Sequence, residues 1–188
     1  VSTGLSHGGV IWITGLSGSG KTTIADALVA ELQKSFQSVI KLDGDVLRDT
    51  LRSLVPQTDA YSATTRLDLA KAYSSLCKLL SSQGFIVVIG TISLFSEIHR
   101  WNRLNLRNYF EVFLPVDPSL LQTQNPKGIY KDAKRALASS VVGNDLAPEE
   151  PLDPDLRLDR NLFSGPAEMV REILSELRQR GLMAGTEM

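Results

Sequence analysis

Apolar and polar positions along this 188-residue chain fall into two periods that alternate. Short runs dense in β-branched and aromatic residues predict strands at Val10–Thr14, Ser38–Leu42, Phe85–Ile89 and Tyr109–Leu114, with a last short one at Leu156–Asp159. Between them, apolar residues recur at helical spacing and predict helices over about Lys21–Phe36, Val46–Ser53, Ala63–Ser82, Phe95–Leu106 and Pro166–Arg180. The run Phe85-Ile86-Val87-Val88-Ile89 has no polar interruption, as expected of a strand covered on both faces. Strands alternating with helices predict an α/β fold with a parallel sheet of about five strands, helices on both faces and right-handed crossovers. Ligands of such sheets sit beyond the carboxyl ends of the strands. The polar clusters of this chain fall there: Gly15–Thr22, Asp43–Arg48 and Gly90–Ser93 each follow a strand, and Lys127 lies beyond the fourth.

The first cluster is the most specific. Gly15-Leu16-Ser17-Gly18-Ser19-Gly20-Lys21-Thr22 is a complete phosphate-binding (P-loop) signature, placed between a predicted strand and a predicted helix. Glycines there let backbone N–H groups turn toward polyphosphate oxygens, and the helix N-terminus adds partial positive charge. Lys21 suits the β- and γ-phosphates, and the Thr22 hydroxyl suits Mg²⁺. Gly15 through Thr22, with Thr23, are therefore the candidate residues for a nucleoside triphosphate. A turn that binds nothing is the plain alternative, and the filled signature with correct flanks argues against it.

The second cluster is Asp43-Gly44-Asp45 with Arg48 one helical turn on. A carboxylate at this strand end can take a proton from an attacking hydroxyl or hold Mg²⁺ through water, and Arg48 can grip an anionic group with two prongs. An ordinary helix cap would use the same residues; proximity to a phosphate loop favours function.

Composition narrows the remaining choices. A hydrophobic share of 43% and a charged share of 22% are those of a globular protein of one domain. A net charge of −1 gives no reason to expect nucleic-acid binding. No apolar run approaches membrane-spanning length, so no membrane partner is expected. The one cysteine, Cys77, lies on the apolar side of a predicted helix and is expected to be a buried small hydrophobe; a cytoplasmic setting fits. Residues 1–9 are expected to be a flexible segment, with a linker from a larger polypeptide as one reading, and 181–188 a frayed tail. His99 is expected at the surface and Trp101 in packing, neither with a catalytic role.

The phosphate loop together with Asp43-Gly44-Asp45-Val46-Leu47-Arg48 resembles the adenylylsulfate (APS) kinase family. Ala60-Tyr61-Ser62 with Arg66 is similar to its Gly-Phe-Ser…Arg segment, Thr91-Ile92-Ser93 to its Phe-Ile-Ser, and Pro126-Lys127-Gly128-Ile129-Tyr130-Lys131 to its lid. Glu149-Glu150-Pro151…Pro154-Asp155-Leu156 is similar to its Glu-x-Pro…Pro-Glu-Leu ending. The resemblance runs from Val10 to about Arg180 and implies one kinase domain over 10–180, with a lid at about 125–155. It implies transfer of the γ-phosphoryl of ATP, with Mg²⁺, to the ribose 3′-hydroxyl of a small-molecule nucleotide acceptor. By position, Lys21 and Asp45 would be catalytic, with Thr22 and Asp45 on the metal. Asp43, Arg48, Tyr61, Arg66, Ile92, Ser93, Lys127 and Gly128 would contact the acceptor. The serine matching Ser93 is described as a phosphorylated intermediate in some members, though in-line transfer needs none. A homodimer is compatible with the resemblance.

Departures from the pattern bear on the acceptor. Gln124-Asn125 stand for an Arg-Asp, Leu94-Phe95-Ser96 for a Pro-(Tyr/His)-Arg, and Ser140-Val141-Val142-Gly143-Asn144 for a Gly-Phe-Thr-Gly-Ile whose Phe stacks on adenine. These are similar to a sub-branch found with capsule and surface-polysaccharide enzymes, which includes cytidine diphosphoramidate kinase. Both acceptors therefore stay open. So do two rivals: a small sugar-acid kinase, which the lid segment argues against, and a non-catalytic ATP-binding module, which intact Lys21, Thr22, Asp45 and Arg48 argue against.

Overall fold

A computed structural model describes residues 4–54, 62–116 and 148–183. Five parallel strands form one sheet in the order β2-β3-β1-β4-β5, with β1 Gly9–Thr14, β2 Val39–Asp43, β3 Ile86–Thr91, β4 Tyr109–Phe113 and β5 Leu156–Arg157. Among the described residues five α-helices accompany it: α1 Lys21–Leu32, α2 Gly44–Thr50, α3 Ala63–Ser82, α4 Ser96–Asn105 and α5 Pro166–Gln179. The α/β fold expected from the alternating periods is the fold observed.

Because β1 and β3 lie in the middle of the sheet, every residue of both is buried. Their side chains divide between two cores. Ile11, Ile13 and Val88 meet Ile24 and Leu28 of α1, Phe110 of β4, and Ile173 and Leu177 of α5. Val10, Trp12, Val87 and Ile89 meet Tyr73 and Cys77 of α3 and Ile98 of α4. Cys77 is fully enclosed, as its place on the apolar face of α3 predicted, and burial pushes its thiol pKa up to about 12.

Element boundaries moved where local hydrogen bonding overrode periodicity. α1 stops at Leu32, four residues early, because Lys34 and Ser35 bond back to Glu31 and Leu32 in the tighter geometry of a closing turn. β3 continues past Ile89 through Gly90 and Thr91, which pair with Ile13 and Thr14 of β1. α2 starts at Gly44, since the Asp43 side chain caps it by accepting from the N–H groups of Asp45 and Val46.

Two terminal expectations need correction. Residues 4–9 are not a free leader: Leu5 is fully buried in the core, its N–H donates to the Leu182 carbonyl at 2.7 Å, and Gly9 already belongs to β1. Gly181–Met183 are likewise tied down, with the Leu182 N–H donating to Leu177 and both Leu182 and Met183 packed on the core. Burial of Leu5, Leu182 and Met183 in one apolar core is what holds these residues.

Candidate active site

The register of the sheet gathers the candidate residues. Thr14 of β1 pairs with Thr91 of β3, and Asp43 of β2 pairs with Gly90, so the ends of the three strands lie side by side. The phosphate loop leaves Thr14, the Asp-Gly-Asp turn contains Asp43, and Ile92-Ser93 follow Thr91. β3 lies between β1 and β2, so Asp43 is not on the strand next to the phosphate loop. α1 nevertheless bridges the gap.

Glycine is required at the loop's first position. A Cβ on Gly15 would stand 2.4 Å from the Leu114 carbonyl oxygen, a backbone atom that cannot yield. The loop then turns through Gly18 and Gly20, both with positive φ, and Gly20 delivers the chain into α1. Lys21 folds back over this turn, its Nζ donating to the Leu16 carbonyl at 2.7 Å and to Ser19 Oγ at 3.4 Å. Burial lowers its pKa from 10.5 to about 8, against the opposing pull of Asp45 and Asp43.

Asp43 does two things at once. Its Oδ1 caps α2, and its Oδ2 accepts from the Thr22 hydroxyl at 3.0 Å. The cap reading and the functional reading of this residue are therefore both realised. Asp45 points instead to Arg48, with Arg48 Nη2 donating to Asp45 Oδ1 at 2.6 Å. The pair is solvent-exposed, so it adds only about 0–1 kcal/mol of stability and leaves Arg48 free to engage an anion. Ser93 is buried, its Oγ 2.9 Å from Thr91 Oγ1, and Ile92 beside it is half-buried. Arg66 lies in the first turn of α3, whose N-cap is Ser62. Tyr61, Lys127 and Gly128 lie outside the described residues.

Thr22, Asp43 and Asp45 offer a hydroxyl and two carboxylates, the hard oxygen donors that suit Mg²⁺. Among the described residues no cluster of three His, Cys, Asp or Glu side chains has the spacing to hold a metal without help.

Two features escaped the sequence. Tyr73, midway along α3, donates its hydroxyl to the Gly44 carbonyl at 3.2 Å, a contact that depends on how α3 packs against α2. His99 is not at the surface but buried, with Nδ1 2.6 Å from Glu111 Oε1. Glu111 also accepts from the Tyr109 hydroxyl and from Arg103, and its N–H donates to Asp155, which binds Arg103 and Arg180. A histidine on an apolar helix face shows burial only once its carboxylate partner on β4 is in place. Trp101 packs as expected, with Lys78 above its ring.

The family model for adenylylsulphate kinase matches residues 7–159. The chain belongs to this family. It is 37% identical over 168 residues to the cytidine diphosphoramidate kinase of Campylobacter jejuni, covering 89% of this chain and 95% of that protein. It is 36% identical over 171 residues to the adenylyl-sulfate kinase of Pseudomonas aeruginosa, covering 89% and 84%. Among solved structures it is similar to the Mycobacterium tuberculosis APS kinase in complex with AMPPNP and APS, with a TM-score of 0.72, 28% identity, and coverage of 91% and 98%. As a member of the APS kinase family this chain is a nucleotide kinase, a phosphotransferase built on a P-loop. No helix among the described residues is long and apolar enough to cross a membrane.

Proposed function

We propose that this kinase transfers the γ-phosphoryl group of ATP to the ribose 3′-hydroxyl of an acceptor nucleotide of the adenylylsulfate type. The observation that carries the proposal is the bond between Thr22 and Asp43, which puts the Asp-Gly-Asp turn, and with it Asp45 and Arg48, beside the phosphate loop. The similarity to a structure solved with AMPPNP and APS supports the same two-nucleotide arrangement.

In this reading the Gly15–Thr23 segment binds the ATP polyphosphate, and Lys21 leaves the Leu16 carbonyl for the β- and γ-phosphates. Thr22, Asp43 and Asp45 would hold Mg²⁺, which supplies charge neutralisation on the phosphates when bound. Asp43, which the resemblance put on the acceptor side, is assigned here to the metal through its bond to Thr22. Asp45 takes the proton of the 3′-hydroxyl as the new O–P bond forms and the bond to the ADP oxygen breaks. Arg48, Arg66, Tyr61, Lys127 and Gly128 bind the acceptor, with Ile92 and Ser93 giving backbone contacts. Ser93 needs no covalent role, since its hydroxyl is buried against Thr91.

A second reading gives the acceptor a cytidine base: cytidine diphosphoramidate, in capsule or surface-polysaccharide synthesis rather than sulfate assimilation. The 37% identity to the Campylobacter jejuni enzyme and the Val141-Val142-Gly143 segment in place of a stacking Phe favour it. Both readings share the ribose hydroxyl and the catalytic residues. An acceptor panel of adenylylsulfate, cytidine diphosphoramidate and gluconate, each with ATP and Mg²⁺, decides between them by ADP release and product mass. Phosphorylation of neither nucleotide would end the proposal, and turnover of gluconate alone would replace it.

A further inference from the structure

α2 carries the turn residues Gly44 and Asp45 but contributes no fully buried side chain of its own. Leu47 packs half-buried against the core, but one such anchor in a helix of seven residues leaves the placement of its first turn open. Two contacts meet the chain at that turn, on Gly44. The Tyr73 hydroxyl of α3 donates to the Gly44 carbonyl at 3.2 Å. Thr91 of β3 packs against the Gly44 Cα so closely that a Cβ there would stand 2.7 Å from Thr91 Oγ1 and 3.0 Å from Thr91 Cβ. The same Thr91 Oγ1 is 2.9 Å from Ser93 Oγ. Tyr73, Thr91 and Ser93 are all buried, the Thr91–Ser93 bond fully and the Tyr73–Gly44 bond in part, so solvent competes weakly for either.

We propose that Tyr73 and Thr91 are positioning residues: together they clamp Gly44 and tie the Asp43-Gly44-Asp45 turn to Ser93, setting the distance between the metal-side carboxylates and the acceptor-side loop. The role rests on the phosphoryl-transfer reading above. Neither residue belongs to the phosphate loop. They act through Gly44, whose two chain neighbours are the carboxylates in question. Burial pushes the Tyr73 hydroxyl pKa up to about 12, with Arg48, Asp45 and Asp49 as the charges it feels, so the hydroxyl stays a donor and lies within electrostatic reach of the turn it holds. A displaced turn would misalign reacting groups by fractions of an ångström, a shift that costs rate rather than ATP affinity.

The test uses the full chain with Tyr73→Phe, Thr91→Val and Thr91→Ser. Tyr73→Phe and Thr91→Val are expected to lower kcat about tenfold or more and to raise the Mg²⁺ concentration for half-maximal transfer severalfold. ATP affinity without acceptor should stay within about twofold, and Thr91→Ser, which keeps the hydroxyl, should return kcat to within about threefold of the parent. Amide exchange gives a readout independent of turnover. The Asp45 and Val46 N–H groups, held by Asp43 Oδ1, should exchange faster in Tyr73→Phe. If the parent protein phosphorylates no acceptor, the functional reading fails and the clamp is judged by exchange alone. Unchanged Asp45 and Val46 exchange overturns the clamp. So does a kcat loss that follows only a lowered melting temperature with the Mg²⁺ dependence unmoved, or a Thr91→Ser variant as impaired as Thr91→Val.

Discussion

Thr22 and Asp43 lie twenty-one residues apart, and the strands that lead to them, β1 and β2, are separated by β3, yet the threonine hydroxyl donates to the aspartate at 3.0 Å. The contact exists because α1 starts over the end of β3, where it can reach the carboxyl end of β2. It joins the phosphate loop to the Asp-Gly-Asp turn. Since the other oxygen of Asp43 caps α2, one side chain organises both halves of the site.

That double duty can be separated by substitution. Asp43→Asn keeps a good capping oxygen but removes the charge. It should therefore leave the melting temperature nearly unchanged while lowering kcat by about a hundredfold or more, the scale of a lost transition-state electrostatic contact. Asp43→Ala should add a stability loss of about 1 kcal/mol on top. Paired thermal melts and initial rates check both. Normal turnover in Asp43→Asn would remove this residue from the metal site.

Arg48 makes one exposed ion pair, with Asp45. Arg48→Ala should leave stability within about 0.5 kcal/mol and raise the acceptor KM about tenfold or more through loss of a two-pronged anion contact. Steady-state kinetics with acceptor varied at saturating ATP reads this directly. An unchanged KM would take Arg48 out of the acceptor site.

Lys21 gives a pH dependence whose sign follows from its lowered pKa of about 8. Below that pH the folded state carries the cost of an ammonium in a partly desolvated place. As pH rises from about 8 toward 10.5, the folded protein sheds this proton before the unfolded chain does, so this group's contribution to stability improves over that window. Polyphosphate binds the charged form. ATP affinity should then fall above about pH 8, and titration calorimetry near pH 9 should show proton uptake on binding. Lys21→Arg should abolish both effects, because a guanidinium stays charged throughout.

Glu111 accepts from His99, Tyr109 and Arg103 in a buried position. Glu111→Leu would strand those donors and should cost about 3–5 kcal/mol, lowering the melting temperature by roughly 10 °C in a chain of this size. Turnover at low temperature should remain, since Glu111 pairs with Trp12, inside the sheet rather than at its rim. A melting temperature within a degree of the parent would show that the network contributes little.

Local order along the chain settled much of this protein. The phosphate loop, the alternation of strand and helix, and α3 residue for residue follow from turn chemistry and side-chain period, which act between neighbours in the chain. The family was legible for the same reason, in short motifs with fixed spacing. Tertiary structure alone decided that β3 lies between β1 and β2, that Asp43 rather than Asp45 meets Thr22, that Tyr73 and Thr91 close on Gly44, that His99 is buried against Glu111, and that Leu5 packs into the core. Each of those depends on which distant elements are brought together and which way a side chain faces once they are. Period and composition carry no record of that pairing; it is fixed only when both sides of the sheet bury their apolar surface at once.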